Sequence, residues 1–217
     1  LEPSGQSTEF LEPGQPVLPE EFLAFKAKLV QLTKKAEVVT FNGSIPKGIS
    51  AANYKELIEE TMAAGVPCIV DTSGALLISC IDALPTMIKP NTDEISQLLG
   101  REVTTEDEVI KAAQELHKRG IKIVVVSLGA KGALMVSDEG TFRANPPKIE
   151  AINPVGAGDT LVGSFAVALA QQKPTSECLT FALSCATASC LSAGTGRFDR
   201  DIATKIHKQV AIEKIAK

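Results

Sequence analysis

The sequence predicts an α/β fold: a mostly parallel sheet with helices packed on both faces. Short runs rich in β-branched and aromatic residues alternate with helical patterns of ten or more residues, as strand–helix–strand units do. Ile121 to Leu128 holds five β-branched residues in a nearly continuous apolar run, as a strand covered on both faces requires. With 217 residues, 44 % hydrophobic and 22 % charged, the chain has the material for one domain with a sizeable core.

The elements follow in order. Ser7 to Leu11 reads as a short strand and Pro13 to Pro19 as a linker. Glu20 to Lys34 is a helix with Phe22, Phe25, Leu29 and Leu32 on one face. Glu37 to Phe41 is a strand, followed by the loop Asn42-Gly-Ser-Ile-Pro-Lys-Gly48. Ser50 caps a helix carrying Tyr54, Leu57, Ile58 and Met62 that stops at Gly65. A strand at Pro67 to Asp71, a helix at Gly74 to Asp82, a strand at Thr86 to Lys89 and a helix at Thr92 to Leu99 come next. Thr105 to Glu108 has the spacing of a capping box, and the helix behind it ends before Gly120. Ala133 to Ser137 and Thr141 to Asn145 form a hairpin around Asp138-Glu139-Gly140. Three helices close the chain: Ala157 to Gln171, Thr175 to Ser192 and Arg200 to Ile212.

Composition excludes several classes. Lysine plus arginine number 22 against 26 aspartates and glutamates, a formal charge of −4 that does not suit a dedicated nucleic-acid binder. No uncharged apolar run reaches the roughly 18 residues of a membrane helix, and no basic flank precedes an apolar core at Leu1. Cys68, Cys80, Cys178, Cys185 and Cys190 are odd in number and form no C-x-x-C pair, the pattern of reduced thiols in a cytoplasmic protein. Leu1 to Pro19 carries four prolines and little periodicity. A domain rarely opens on so long a structureless segment, so part of a parent protein is expected before it.

In a parallel sheet, ligands bind beyond the carboxyl ends of the strands. The loops at Asn42, Asp71, Lys89, Leu128 and Asn153 are therefore expected along one edge. The sharpest of them is Asn153-Pro-Val-Gly-Ala-Gly-Asp-Thr160, which puts two glycines at the entry to a long apolar helix. Glycine admits close backbone approach, and the first helical turn offers unpaired N–H groups and a positive dipole end, a site for phosphate. Asp159 in that turn has two readings. One is a carboxylate placed where the helix dipole favours it. The other is a general base that takes a proton from a hydroxyl attacking the phosphoryl group held there. The G-x-x-x-x-G-K-[ST] string of a P-loop is absent, and the dinucleotide fingerprint fails because Leu161 occupies the last glycine's place.

The segment Asn153 to Gly163 resembles the C-terminal signature of the PfkB family, the ribokinase-like carbohydrate kinases. Three other stretches agree in order and spacing. Lys89-Pro-Asn91-Thr-Asp-Glu94 is similar to the family's N-x-x-E element, Ser127-Leu-Gly129-Ala-Lys131-Gly132 to its nucleotide-binding turn, and Asn42 to Gly48 to its G-S-x-P-x-G loop. The resemblance covers essentially the whole chain. It implies a ribokinase-like three-layer sandwich and a single kinase domain over 1–217, with 1–19 a linker or the end of a lid. The family's early strands, the β-lid and much of the sugar site would be missing, which makes the 217 residues alone a poor catalyst.

By that resemblance Asp159 is the catalytic base, and Gly156, Ala157 and Gly158 form the anion hole. Ser127, Gly129, Lys131 and Gly132 hold ATP, joined by Lys89, Asn91, Gly194 and Thr195. Asn91 and Glu94 organise Mg²⁺, while Asn42, Gly43 and Ser44 face the sugar with Asp159. Each has a plainer alternative: Asn91 and Glu94 as a helix cap, Lys89 as a solvated strand-end charge, Gly194 and Thr195 as a simple loop. A monovalent cation near Ala151, Asn153 and Arg197 and a homodimeric parent belong to the same implication. The motifs are most similar to those of kinases for tagatose 6-phosphate, with a 1-phosphofructokinase or another ribokinase-like kinase as the alternative. A nucleotide-binding module without catalysis is the competing class. In either case the partners are small molecules, with neither nucleic acid nor membrane among them.

Overall fold

The computed structural model describes residues 14–216. The strand expected at Ser7 to Leu11 lies outside them. Helix α1 (Pro19–Thr33) starts on a proline, whose missing N–H is one that the first turn leaves unpaired in any case. Then come β1 (Val39–Asn42), α2 (Ala51–Ala63), β2 (Cys68–Asp71), α3 (Gly74–Ile81), β3 (Met87–Ile88), α4 (Thr92–Leu99), α5 (Glu106–Lys118) and β4 (Ile123–Ser127). The hairpin β5 (Ala133–Ser137) and β6 (Gly140–Asn145) leads to α6 (Ala157–Ala170), α7 (Thr175–Ser189), α8 (Arg200–His207) and β7 (Ala211–Ala216).

The seven strands lie side by side in sequence order. β1 to β4 pair in parallel, and β5, β6 and β7 are added antiparallel. Five strands, β1 to β4 and β6, thus point the same way. Each parallel step moves to the next position in one direction. Crossovers of one hand then put α2 to α5 on the same face.

Alternation along the strands divides the core in two. On β2, Cys68 and Val70 face Leu57, Ile58, Leu77, Ile95 and Leu116. Ile69 faces the opposite way, toward Leu161 and Phe165 of α6 and Leu179 of α7. Val124 and Val126 of β4 join the first cluster, Ile123 and Val125 the second. The apolar run of β4 is continuous because both faces of the sheet are covered. α8 packs on the outside of α7 through Ala203 and Ile206 against Cys185 and Ala188. All five cysteines are free thiols, and burial pushes those of Cys68 and Cys80 up to about 12. Among the described residues no helix is long and apolar enough to cross a membrane.

One expected element is corrected. The helix anticipated over Arg200 to Ile212 ends at His207, and the residues from Ala211 onward form β7 on the edge of β6. Asp199 caps α8 by accepting from Asp201 N and Ile202 N, while Gln209 N and Val210 N close it by donating to Ile206 O. The open edge of β6 then takes the chain: Ile212 lies opposite Ala144 and Lys214 opposite Phe142, with its ammonium 5.4 Å from the ring centroid.

α5, the second of the two helices between β3 and β4, is fixed by a capping box. Glu108 Oε2 accepts from the N–H groups of Thr105 and Thr104, each at 2.9 Å, and Glu108 N donates to Thr105 Oγ1. The Thr105 and Thr104 backbone donors favour the charged carboxylate and lower its pKa from 4.5 to about 2. A depressed folded value means that the stabilisation is full above 4.5 and is lost as pH falls toward 2. Glu108→Ala is expected to lower the denaturation midpoint at pH 7, with the deficit shrinking between 4.5 and 2; a deficit independent of pH would contradict this assignment.

Candidate active site

β1, β2 and β3 are in parallel register, so Asn42 stands beside Asp71 on one side and the chain leaving β3 runs beside Asp71 on the other. An isolated parallel bridge joins Asn91 to Ser127, bringing the N-x-x-E and S-L-G segments together. α6 packs across β1 and β2 and points its first turn at this edge. The expected convergence of the loops on one edge is what the strand order produces.

Gly156 sets the start of α6. It adopts φ +81°, ψ 4°, a left-handed conformation that glycine takes without penalty. A Cβ there would lie 2.8 Å from Thr195 Cγ2 and 3.0 Å from Gly196 N. Asn153 ties the same two segments: its Oδ1 accepts from Val155 N at 3.0 Å, and its Nδ2 donates to Ala193 O at 3.2 Å and Thr195 Oγ1 at 3.4 Å. Gly194 and Thr195 therefore sit against the glycine loop. Of the backbone groups expected in the anion hole, Ala157 N donates to Pro154 O at 3.2 Å. The N–H groups of Gly158 and Asp159 in the first turn have no intrahelical acceptor. Asp159 is exposed at that turn.

Lys89 is not the solvated charge that a lone strand-end lysine would ordinarily be. It is only 8 % exposed, and its Nζ lies 3.1 Å from Asp71 Oδ1. It also reaches the helix start: a Cβ at Gly158 would stand 3.6 Å from Nζ. Burial pushes the Asp71 carboxyl above its ordinary range; Lys89 pulls it down, and the charge of Asp159 raises it. Asp71, Lys89 and Asp159 thus form one interacting group. The sequence places the Asp71 loop on this edge but no motif assigns the side chain a role; an aspartate ending a buried Cys-Ile-Val strand is the available signal.

The remaining residues frame this group. Asn91 and Glu94 cap α4 reciprocally, Asn91 Oδ1 accepting from Glu94 N and Glu94 Oε2 from Asn91 N, both at 2.8 Å. The cap reading therefore holds for both. They are oxygen donors at the edge of the site, a set that suits Mg²⁺, which takes oxygen ligands and keeps several waters. Among the described residues no group of three or more His, Cys, Asp or Glu side chains could hold a metal.

Ser127 leads into a 3₁₀ turn, Gly129–Lys131, closed by Leu128 N donating to Gly132 O at 2.8 Å. Gly132 has φ +90°, and a Cβ there would fall 2.1 Å from Ala144 O, so the turn lies directly on β6. Lys131 is exposed. On the other side, Gly43 N donates to Asp71 O at 2.9 Å and Thr72 Oγ1 to Gly43 O at 2.7 Å, fixing the Asn42 loop beside Asp71. Asn42 Nδ2 donates to Thr40 Oγ1, and Ser44 is exposed.

A family profile described as pfkB family carbohydrate kinase matches residues 4–201. A tagatose-6-phosphate kinase of Staphylococcus epidermidis is 34 % identical over 214 residues, which take in 97 % of this chain and 69 % of that protein. The ATP-dependent 6-phosphofructokinase isozyme 2 of Escherichia coli is 35 % identical over 213 residues, 95 % of this chain and 67 % of its own. The crystal structure of phosphofructokinase-2 from Escherichia coli in complex with potassium superposes with a TM-score of 0.89 at 34 % identity, over 95 % of this chain and 67 % of that one. The chain thus spans about two thirds of the length of these relatives.

Two glycines of the same helix make a controlled test of the loop. Gly156→Ala forces a left-handed alanine into Thr195 and is expected to destabilise the chain by about 1–3 kcal/mol. Gly163→Ala meets nothing within 4 Å, and inside the helix it is expected to stabilise by about 0.5–1 kcal/mol. Denaturant titration of both variants checks this; equal stabilities would show that the left-handed start is not required.

Proposed function

The chain belongs to the pfkB family of carbohydrate kinases, and from that premise we propose that it transfers the terminal phosphoryl group of ATP to a hydroxyl of a ketohexose phosphate, tagatose 6-phosphate first among them. The observation that carries the proposal is Asp159, an exposed carboxylate in the first turn of α6, beside a second carboxylate that is already ion-paired.

The pairing decides the roles. Asp71 is engaged by Lys89 and is poorly placed to accept a further proton from a substrate. Asp159 is the carboxylate open to an incoming hydroxyl. It takes the hydroxyl proton as the oxygen attacks the γ-phosphorus and ADP departs with the electrons of the broken P–O bond. The N–H groups at the start of α6, with Gly156 and Gly158 giving close approach, stabilise the phosphoryl oxygens, and Lys89 adds a fixed positive charge. Asn91 and Glu94 would hold Mg²⁺, which would supply charge neutralisation on the ATP phosphates. Ser127, Gly129, Lys131 and Gly132, with Gly194 and Thr195 opposite, hold the nucleotide; Asn42, Gly43 and Ser44 orient the acceptor.

Several relatives support parts of this reading. The tagatose-6-phosphate kinase points to the acceptor named above, and the equally similar 6-phosphofructokinase makes fructose 6-phosphate the second candidate. The potassium complex of the Escherichia coli enzyme supports use of a monovalent cation, for which the loop of Ala151 and Asn153 near Arg197 is our candidate place. A tetrameric structure of that enzyme supports self-association here.

Transfer from ATP is best measured with tagatose 6-phosphate, fructose 6-phosphate and fructose 1-phosphate side by side. Asp159→Asn is expected to reduce transfer about 10²- to 10⁴-fold while ATP still binds. Unchanged transfer would remove Asp159 as the base, and faster transfer to an acceptor that is not a ketohexose phosphate would overturn the substrate class.

A further inference from the structure

We propose that Asp71 is the positioning residue for Lys89, holding the lysine ammonium against the first turn of α6, where the transferring phosphoryl group passes. The inference rests on the reading of this edge as a phosphotransferase site and adds a residue that no motif in the sequence marks.

A lysine side chain is long and flexible, and its strongly hydrated ammonium is rarely buried without a partner. Lys89 is buried to 8 % exposure at the end of a strand of only two residues. Its backbone is tied to β2, Lys89 N donating to Val70 O at 3.3 Å. Its side chain is tied to the next residue of that strand: Nζ lies 3.1 Å from Asp71 Oδ1, and the two side chains are 9 % and 17 % exposed. Asp71 is itself a rigid anchor. It closes β2 in register with Asn42, and its carbonyl accepts from Gly43 N at 2.9 Å.

The geometry of the pair aims the ammonium. From Asp71, Nζ reaches to 3.6 Å of where a Cβ at Gly158 would stand, with Lys89 Cε at 4.0 Å of the same point. An ammonium has three donors; with one directed to Asp71, two remain for phosphate oxygens at the helix start. The pair also separates the two carboxylates by role. Asp71 is neutralised by a fixed cation, and Asp159 is left as the acceptor of the hydroxyl proton. Removing one member of a buried pair leaves the other charge uncompensated, so the two residues are expected to act as a unit.

A double-mutant cycle tests this on the 217-residue chain, with Mg²⁺·ATP as the probe. The variants are Asp71→Asn, Lys89→Met, both together, and Asp71→Glu. Each is read by calorimetric ATP affinity, by kcat and KM for transfer, and by unfolding midpoint. Asp71→Asn is expected to lower kcat on the order of 10- to 100-fold, with little change in KM for the sugar phosphate. The double variant should be no worse than Lys89→Met alone, and Asp71→Glu should recover part of the loss. The double variant should also unfold close to the wild type, because no orphan charge is left. Effects of Asp71→Asn and Lys89→Met that multiply in the double variant, or full kcat in Asp71→Asn, would overturn the proposal. Where the 217 residues bind ATP yet transfer nothing, the cycle in ATP affinity decides the coupling: non-additive supports it, additive overturns it. A wild-type chain without ATP affinity would overturn both the coupling and the reading it rests on.

Discussion

The site depends on how one helix is allowed to begin. α6 can point its first turn at the ends of β1 and β2 only because Gly156 takes a left-handed backbone conformation in a space too small for a Cβ. Asn153 then binds the approach to α6 to the loop around Thr195. A side chain at position 156 would separate the two segments and turn the helix start away. The topology supplies the other half of the arrangement. Parallel strands in sequence order bring Asn42, Asp71 and Lys89 to one edge, because each crossover returns the chain to the same end of the sheet.

Three charged groups meet where those halves join. Lys89 lies between Asp71 and the helix start, and Asp159 projects from that start. Burial works against charge on Asp71, while Lys89 works for it, and the charge of Asp159 is felt across the gap. An anion arriving at the N-terminus of α6 would meet a helix dipole and a lysine already fixed in place. Little reorganisation is then needed as charge shifts on a phosphoryl group, and preorganisation of that kind is what electrostatic catalysis requires. The two cores hold this geometry from both sides, through Val70 and Ile88 on one face and Ile69 and Met87 on the other.

Much of this was legible in the sequence because the signals were local. The run at Ile121 to Leu128, the boxes at Asn91 and Thr105, and the glycines before Asp159 each state their structure within a few residues. Two features were not local. The Ala211–Ala216 segment has Ile212 and Ile215 at a spacing that also suits a helix; only the free edge of β6 makes it a strand. The burial of Lys89 is set by Asp71, a partner on the neighbouring strand that no short motif includes. The N-x-x-E pair shows the converse: its spacing is fully explained as a helix cap, while its place beside Ser127 comes from a bridge that the spacing does not state.

The central claim is that these residues already make a nucleotide site. A calorimetric titration of Mg²⁺·ATP into the folded 217-residue chain tests it most directly. Saturable binding with a Kd between micromolar and millimolar, about −8 to −4 kcal/mol, is the predicted result. A chain that is folded by circular dichroism and cooperative unfolding yet takes up no ATP would contradict it.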